Sequence, residues 1–138
     1  MPTVQPSLRL LPRSLSFPKG HVLIVDDEEN VTDLLQRSLA RLEPGLEVWV
    51  ANSGAQALDL LKDGQLDLLI TDYQMPEMNG PELIEAVRQR YPAVKIILTT
   101  AFPSSQIDQL ADRLAVDSCL IKPFSSRDLR EIVRQLLA

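Results

Sequence analysis

Four short aliphatic runs, each ending on a residue with charged or hydrogen-bonding chemistry, constrain this 138-residue chain more than any other feature. Val22-Leu23-Ile24-Val25 delivers Asp26 and Asp27, and Leu68-Leu69-Ile70-Thr71 delivers Asp72. Ile96-Ile97-Leu98-Thr99 delivers Thr100 and Ala101, and Cys119-Leu120-Ile121 delivers Lys122 and Pro123. Nearly unbroken aliphatic runs of this length suit parallel strands buried on both faces. The polar residues would then stand at the C-terminal tips of the strands, where open α/β sheets bind ligands.

The stretches between the runs carry helical spacing. Val31, Leu34, Leu35, Leu39 and Leu42 form one stripe, with Pro44-Gly45 as its stop. A second strand is expected over Glu47–Ala51, with Val48 and Val50 on one face and Trp49 on the other. Asn52 or Ser53 caps a second helix, striped by Ala57, Leu58 and Leu61 and ended by Gly64. Strands are expected over 66–71, 94–100 and 118–121. The third helix starts at Gly80-Pro81, the fourth near Ser104, and the fifth is capped by Ser125. Strict β-α alternation implies right-handed crossovers and a parallel sheet with helices on both sides.

Length allows one domain with a real core. Residues 1–19 hold Pro2, Pro6, Pro12 and Pro18 and are expected to form a poorly ordered, extended tail, leaving 20–138 as the domain. Their Arg- and Ser-containing, acid-free composition slightly resembles a transit peptide, but the prolines interrupt it and an ordinary tail is the expected reading. The net charge is −5; Arg9, Arg13 and Lys19 leave the remainder at −8. Such a body lacks the basic footprint that direct nucleic-acid binding needs. No apolar run reaches the length of a membrane span, and the single Cys119 fits a reducing, cytoplasmic setting.

Three carboxylates, Asp26, Asp27 and Asp72, converging on one sheet edge repel one another unless a cation joins them. Oxygen ligands at this density suit a divalent cation such as Mg²⁺. For Glu28 and Glu29 a solvated acidic helix start is the better reading.

The ordered set Asp26-Asp27, Asp72 with Met75-Pro76-Glu77-Met78-Asn79-Gly80, Thr100-Ala101 and Lys122-Pro123-Phe124 resembles the receiver domain of two-component response regulators over residues 21–138. The resemblance implies a (βα)5 flavodoxin-like three-layer sandwich with strand order 2-1-3-4-5. It implies Asp72 as phosphoacceptor, forming an aspartyl phosphate. Asp27, Asp72 and the Gln74 carbonyl would bind Mg²⁺ (or Mn²⁺) directly and Asp26 through water, while Lys122, Thr100 and the Ala101 amide would support the phosphoryl oxygens. Alternation lets only one of Thr99 and Thr100 face the pocket, and the following Ala101 favours Thr100. The Lys122-Pro123 bond is expected to be cis.

The resemblance further implies a phosphohistidine donor on a sensor histidine kinase or histidine phosphotransfer protein. It also implies an output domain or downstream protein that reads a surface formed by the fourth helix, fifth strand and fifth helix. That surface is also a candidate homodimer face, where Arg113, Asp117, Arg127 and Arg130 could pair. Cys119 stands where such domains commonly carry an aromatic switch residue, so either Phe102 takes that role, the switch is blunted, or Cys119 fills a small core space. The alternative function is a pseudo-receiver, an interaction module independent of phosphorylation. A hydrolase using an aspartyl-phosphate intermediate is disfavoured, because Gln74 replaces the second aspartate it would need. The chain is thus expected to act only on its own phosphorylation and dephosphorylation rather than as a conventional enzyme.

Overall fold

The computed structural model describes residues 20–42, 45–61 and 64–138. The expected tail over 1–19 and the Pro44 helix stop lie outside the described residues. In chain order the elements are β1 (Gly20–Val25), α1 (Glu29–Ala40), β2 (Leu46–Ala51), α2 (Gly54–Leu60), β3 (Leu68–Asp72), α3 (Gly80–Arg90), β4 (Lys95–Thr100), α4 (Ser105–Arg113), β5 (Ser118–Ile121) and α5 (Ser126–Leu137). The strands form one parallel sheet in the order β2-β1-β3-β4-β5. That is the flavodoxin-like architecture and strand order expected.

Alternation along the central strands divides the core into two layers. Leu23, Val25, Leu69, Ile96 and Leu98 face one side and pack with Ala57 of α2, Leu83, Ile84 and Val87 of α3, and Ile107 of α4. Val22, Ile24, Leu68, Ile70 and Ile97 face the other and pack with Leu35 and Leu39 of α1 and Leu129 and Val133 of α5. A two-residue side-chain period in each strand is what makes both layers possible.

Helix starts follow local chemistry. Ser53, Ser104 and Ser125 each accept a hydrogen bond from the backbone N–H three residues on. Gln56 reaches back to the Asn52 amide rather than to Ser53. Asn79 and Glu82 form a reciprocal capping box at the start of α3, with Pro81 in the first turn. This Asn-x-x-Glu signal is legible in the sequence beside Gly80-Pro81.

Leu34 departs from the expected α1 stripe: it is 56% exposed, while Thr32 and Ser38 are buried. The inner face of α1 admits small polar residues because their hydroxyls are satisfied. Thr32 donates to the Glu29 carbonyl, and Ser38 shares a hydrogen bond with Ser126 of α5. Cys119 likewise does not fill core space. It is exposed, on the edge strand β5. Among the described residues, no helix is long and apolar enough to cross a membrane.

Gly80 is required by proximity rather than by backbone angle. A Cβ there would clash with the Asp72 carbonyl oxygen, since the Gly80 amide donates to the Tyr73 carbonyl next to it. The tip of β3 is thereby pressed against the start of α3. Gly80→Ala is expected to destabilise the fold by about 2 kcal/mol, the usual size of an overpacking penalty; chemical denaturation at pH 7 checks it.

Candidate functional site

The strand order reverses between β1 and β3, so the helices that follow them leave on opposite faces and a cleft opens at the strand tips. A cavity of about 480 Å³ lies there. Asp27, Asp72, Gln74, Thr100, Ala101 and Lys122 all line it, together with Glu28, Met75, Pro76 and Phe102. Asp26 lies just beneath, buried to 1% exposure.

Asp26 is the anchor of the cluster. Its Oδ2 is 2.6 Å from Lys122 Nζ, and its Oδ1 accepts from the Glu28 amide at 2.9 Å. The Asn52 side chain donates to its backbone carbonyl and to the Thr32 hydroxyl. Both carboxylate oxygens thus have strong donors, without which a buried charge would be very costly. Asp72 sits beside it, with Oδ1 accepting from the Tyr73 amide and Oδ2 3.5 Å from Lys122 Nζ. Asp27 is the exposed member. One carboxylate oxygen from each of Asp26, Asp27 and Asp72 falls within 4.8 Å of the others.

Burial raises the pKa of Asp72, and the neighbouring Asp26 charge raises it further; Lys122 and the Tyr73 amide oppose this incompletely. For Lys122, burial pulls downward, but the hydrogen bond and charge of Asp26 and the charge of Asp72 outweigh it, and the net shift is upward. The ammonium is therefore firmly charged. A single ammonium cannot balance three carboxylates, and this excess of hard oxygen donors is the chemistry a divalent cation fits.

Thr100, not Thr99, lines the cleft; Thr99 is buried and paired with Asp72 across the sheet. The Thr100 hydroxyl accepts from the Phe102 amide at 3.1 Å, and its carbonyl accepts from the Lys122 amide at 2.7 Å. The Lys122-Pro123 bond is cis. Phe102 is 76% exposed at the rim. The structure thus places Asp26, Asp27, Asp72, Gln74, Thr100, Ala101 and Lys122 at one cleft. Sequence reasoning missed the support given by Asn52 and by the Glu28 amide, because neither forms part of a recognisable spacing.

Cys119 lies outside the cleft, and partial burial together with the Asp108 charge raises its thiol pKa. It is correspondingly poor in thiolate. Asp117 accepts from the Ile96 amide, so one of its oxygens is committed within the chain.

The family model described as "Response regulator receiver domain" matches residues 22–134. The Transcriptional regulatory protein CpxR of Escherichia coli strain K12 is 41% identical over 117 residues, covering 84% of this chain and 48% of that protein. The Alkaline phosphatase synthesis transcriptional regulatory protein PhoP of Bacillus subtilis is 33% identical over 116 residues, covering 84% and 48%. This chain therefore spans about half the length of these relatives. The chemotaxis response regulator CheY4 of Vibrio cholerae superposes with a TM-score of 0.77 at 29% identity, covering 86% of this chain and 99% of that one. A signal receiver domain of an HD domain-containing protein from Pseudomonas fluorescens Pf-5 gives 0.79 at 30% identity, covering 86% and 94%. Fold, cleft and family model converge: this chain belongs to the response regulator receiver domain family.

Proposed function

We propose that Asp72 accepts a phosphoryl group from a phosphohistidine on a sensor histidine kinase or histidine phosphotransfer protein, or from a small acyl phosphate. The observation that carries this reading is the Asp72 carboxylate in an open cleft, 3.5 Å from an ammonium that Asp26 holds in place. An Asp72 oxygen attacks phosphorus, the bond from phosphorus to the donor nitrogen breaks, and the imidazole leaves with the electron pair. Positioning and charge neutralisation supply most of the catalysis in such transfers.

Lys122 balances charge on the transferring oxygens. The Thr100 hydroxyl, fixed as an acceptor by the Phe102 amide, donates its proton to one of them, and the Ala101 amide donates beside it. The donor set Asp26, Asp27, Asp72 and the Gln74 carbonyl suits Mg²⁺ or Mn²⁺, which when bound neutralises the phosphoryl oxygens. Leu34, Val31, Pro123 and Phe124 form a small apolar groove beside Lys122, suited to a phosphodonor protein approaching the cleft. Movement of Thr100 toward the phosphoryl group would alter the neighbouring α4-β5-α5 surface, where Phe102 and Ile121 are exposed. An output domain, a downstream protein or a second copy would read that change.

Intact-mass spectrometry with acetyl phosphate and Mg²⁺ tests the reading. One added phosphoryl group, lost with chelator, is expected. If no adduct forms and beryllium fluoride with Mg²⁺ also fails to bind, the domain is a phosphorylation-independent interaction module instead.

A further inference from the structure

The last rung of the ladder between β1 and β2 pairs Val25 with Ala51. Beyond it the Asp26 amide still donates to the Ala51 carbonyl at 3.2 Å, but the next bond comes from a side chain. Asn52 Nδ2 donates to the Asp26 carbonyl at 2.9 Å and to Thr32 Oγ1 at 3.3 Å. The partners fix which way this amide points. Thr32 gives its own proton to the Glu29 carbonyl at 2.9 Å, so both atoms that face the Asn52 nitrogen are acceptors. A carboxamide supplies two donors from one nitrogen, which neither a hydroxyl nor a carboxylate can match.

The Asp26 carbonyl belongs to the planar peptide unit that also carries the Asp27 nitrogen. Holding its oxygen therefore fixes the direction in which the chain leaves Asp26 for Asp27. The other two carboxylates of the cluster are held directly: Asp26 by Lys122 and the Glu28 amide, Asp72 by the Tyr73 amide and Lys122. Asp27 is exposed, so the backbone rather than packing brings its carboxylate within 4.8 Å of theirs.

We propose that Asn52 is a positioning residue for the divalent cation: through the 26–27 peptide it aims Asp27 at the cluster and thereby sets the cation affinity of the cleft. This rests on the reading of the cleft as a cation and phosphoryl site. Asn52 does not line the cavity, so it acts through Asp26 and Asp27 rather than as a ligand. Outer partners of this kind hold metal ligands in the geometry the ion needs, and losing one costs about 10–100-fold in affinity.

The test titrates the chain with Mn²⁺ alone and counts the free ion by electron paramagnetic resonance, so that binding is read without phosphoryl transfer. The native chain is compared with Asn52→Ala, Asn52→Asp and Ser53→Ala, each verified as folded by circular dichroism and urea unfolding. Asn52→Ala is expected to bind Mn²⁺ about tenfold more weakly. Asn52→Asp keeps the shape but turns an acceptor toward the Asp26 carbonyl. It should also bind more weakly than the native chain, although its added negative charge alone would strengthen cation binding. It carries the test by itself if the alanine variant does not fold. Ser53→Ala removes the cap of α2 and so lowers stability without touching Asp26; its affinity should equal that of the native chain. At saturating Mg²⁺, phosphoryl uptake by Asn52→Ala should regain the native rate, because only binding was lost. Native-like or tighter Mn²⁺ binding in either Asn52 variant, an equal loss in Ser53→Ala, or a rate that saturating Mg²⁺ does not restore would overturn the proposal. Failure of the native chain itself to bind Mn²⁺ would overturn the cation reading beneath it, and the proposal with it.

Discussion

Asp72→Asn is expected to take up no phosphoryl group and, in chelator at pH 7, to unfold at a higher temperature than the native chain. The first effect follows because an amide oxygen is too weak a nucleophile to replace the carboxylate. The second follows from electrostatics. Asp72 is largely buried beside the Asp26 carboxylate, and its pKa is raised by that burial and that charge. A raised carboxylate pKa means that the folded state holds the proton more tightly than the unfolded chain. Ionised Asp72 therefore costs stability above its raised pKa, and the cost fades as pH falls, disappearing below about pH 4. Asparagine removes the charge while keeping an oxygen for the Tyr73 amide. The gain should be on the order of 1 kcal/mol, typical where function opposes stability. Thermal melts of the two chains should converge as pH is lowered toward 4. A variant less stable at pH 7, or a gap that does not narrow in acid, would contradict the electrostatic account.

Lys122→Ala should act in the opposite direction and strongly. The ammonium is 2.6 Å from Asp26 Oδ2 and 3.5 Å from Asp72 Oδ2. Its removal leaves two closely spaced carboxylates, one of them deeply buried, without their cation. Breaking a buried ion pair from one side costs about 3–5 kcal/mol. Here the lower end is expected, because Lys122 keeps 17% exposure and water can enter the gap. The lysine's pKa is raised on balance, so its contribution is complete at neutral pH and is lost only as pH climbs through that raised value. Urea unfolding in chelator measures the loss. Mg²⁺ should then restore more stability to the variant than to the native chain, because the ion meets a less compensated acidic cluster. Phosphoryl uptake should slow by about a hundredfold, the usual effect of removing one donor to transferring oxygens. Native-like stability in chelator would mean that Lys122 is not the electrostatic keystone of the cleft.

Most of the sheet is legible from the aliphatic runs, since a strand buried on both faces needs apolar residues at successive positions. Val22–Val25 and Ile96–Leu98 satisfy both layers at once. Edge elements are harder to read. Cys119 looks like a core residue in an apolar run, yet β5 has no neighbour beyond it. Leu34 obeys the helical period, but a period gives only a stripe, not its width. Hydroxyl partners at Thr32 and Ser38 narrow the apolar part of the α1 face.

The cleft residues were legible because each terminates a strand, and parallel strands all end at one edge. Alternation says only that one of Thr99 and Thr100 faces the cleft; the Ala101 that follows is what favours Thr100. The Asp26–Lys122 bond spans 96 positions and leaves no local pattern. The Asn52 brace joins the residue after β2 to the Asp26 carbonyl 26 positions away, a pairing that periodicity does not state.

Trapping the modified residue tests the central claim most directly. After incubation with acetyl phosphate and Mg²⁺, borohydride reduction converts an aspartyl phosphate into homoserine, which peptide mass spectrometry locates. Conversion at Asp72 alone, absent in chelator, is the predicted result. Conversion at Asp26, Asp27 or a residue outside the cleft, with Asp72 unmodified, would contradict the assignment of Asp72 as phosphoacceptor.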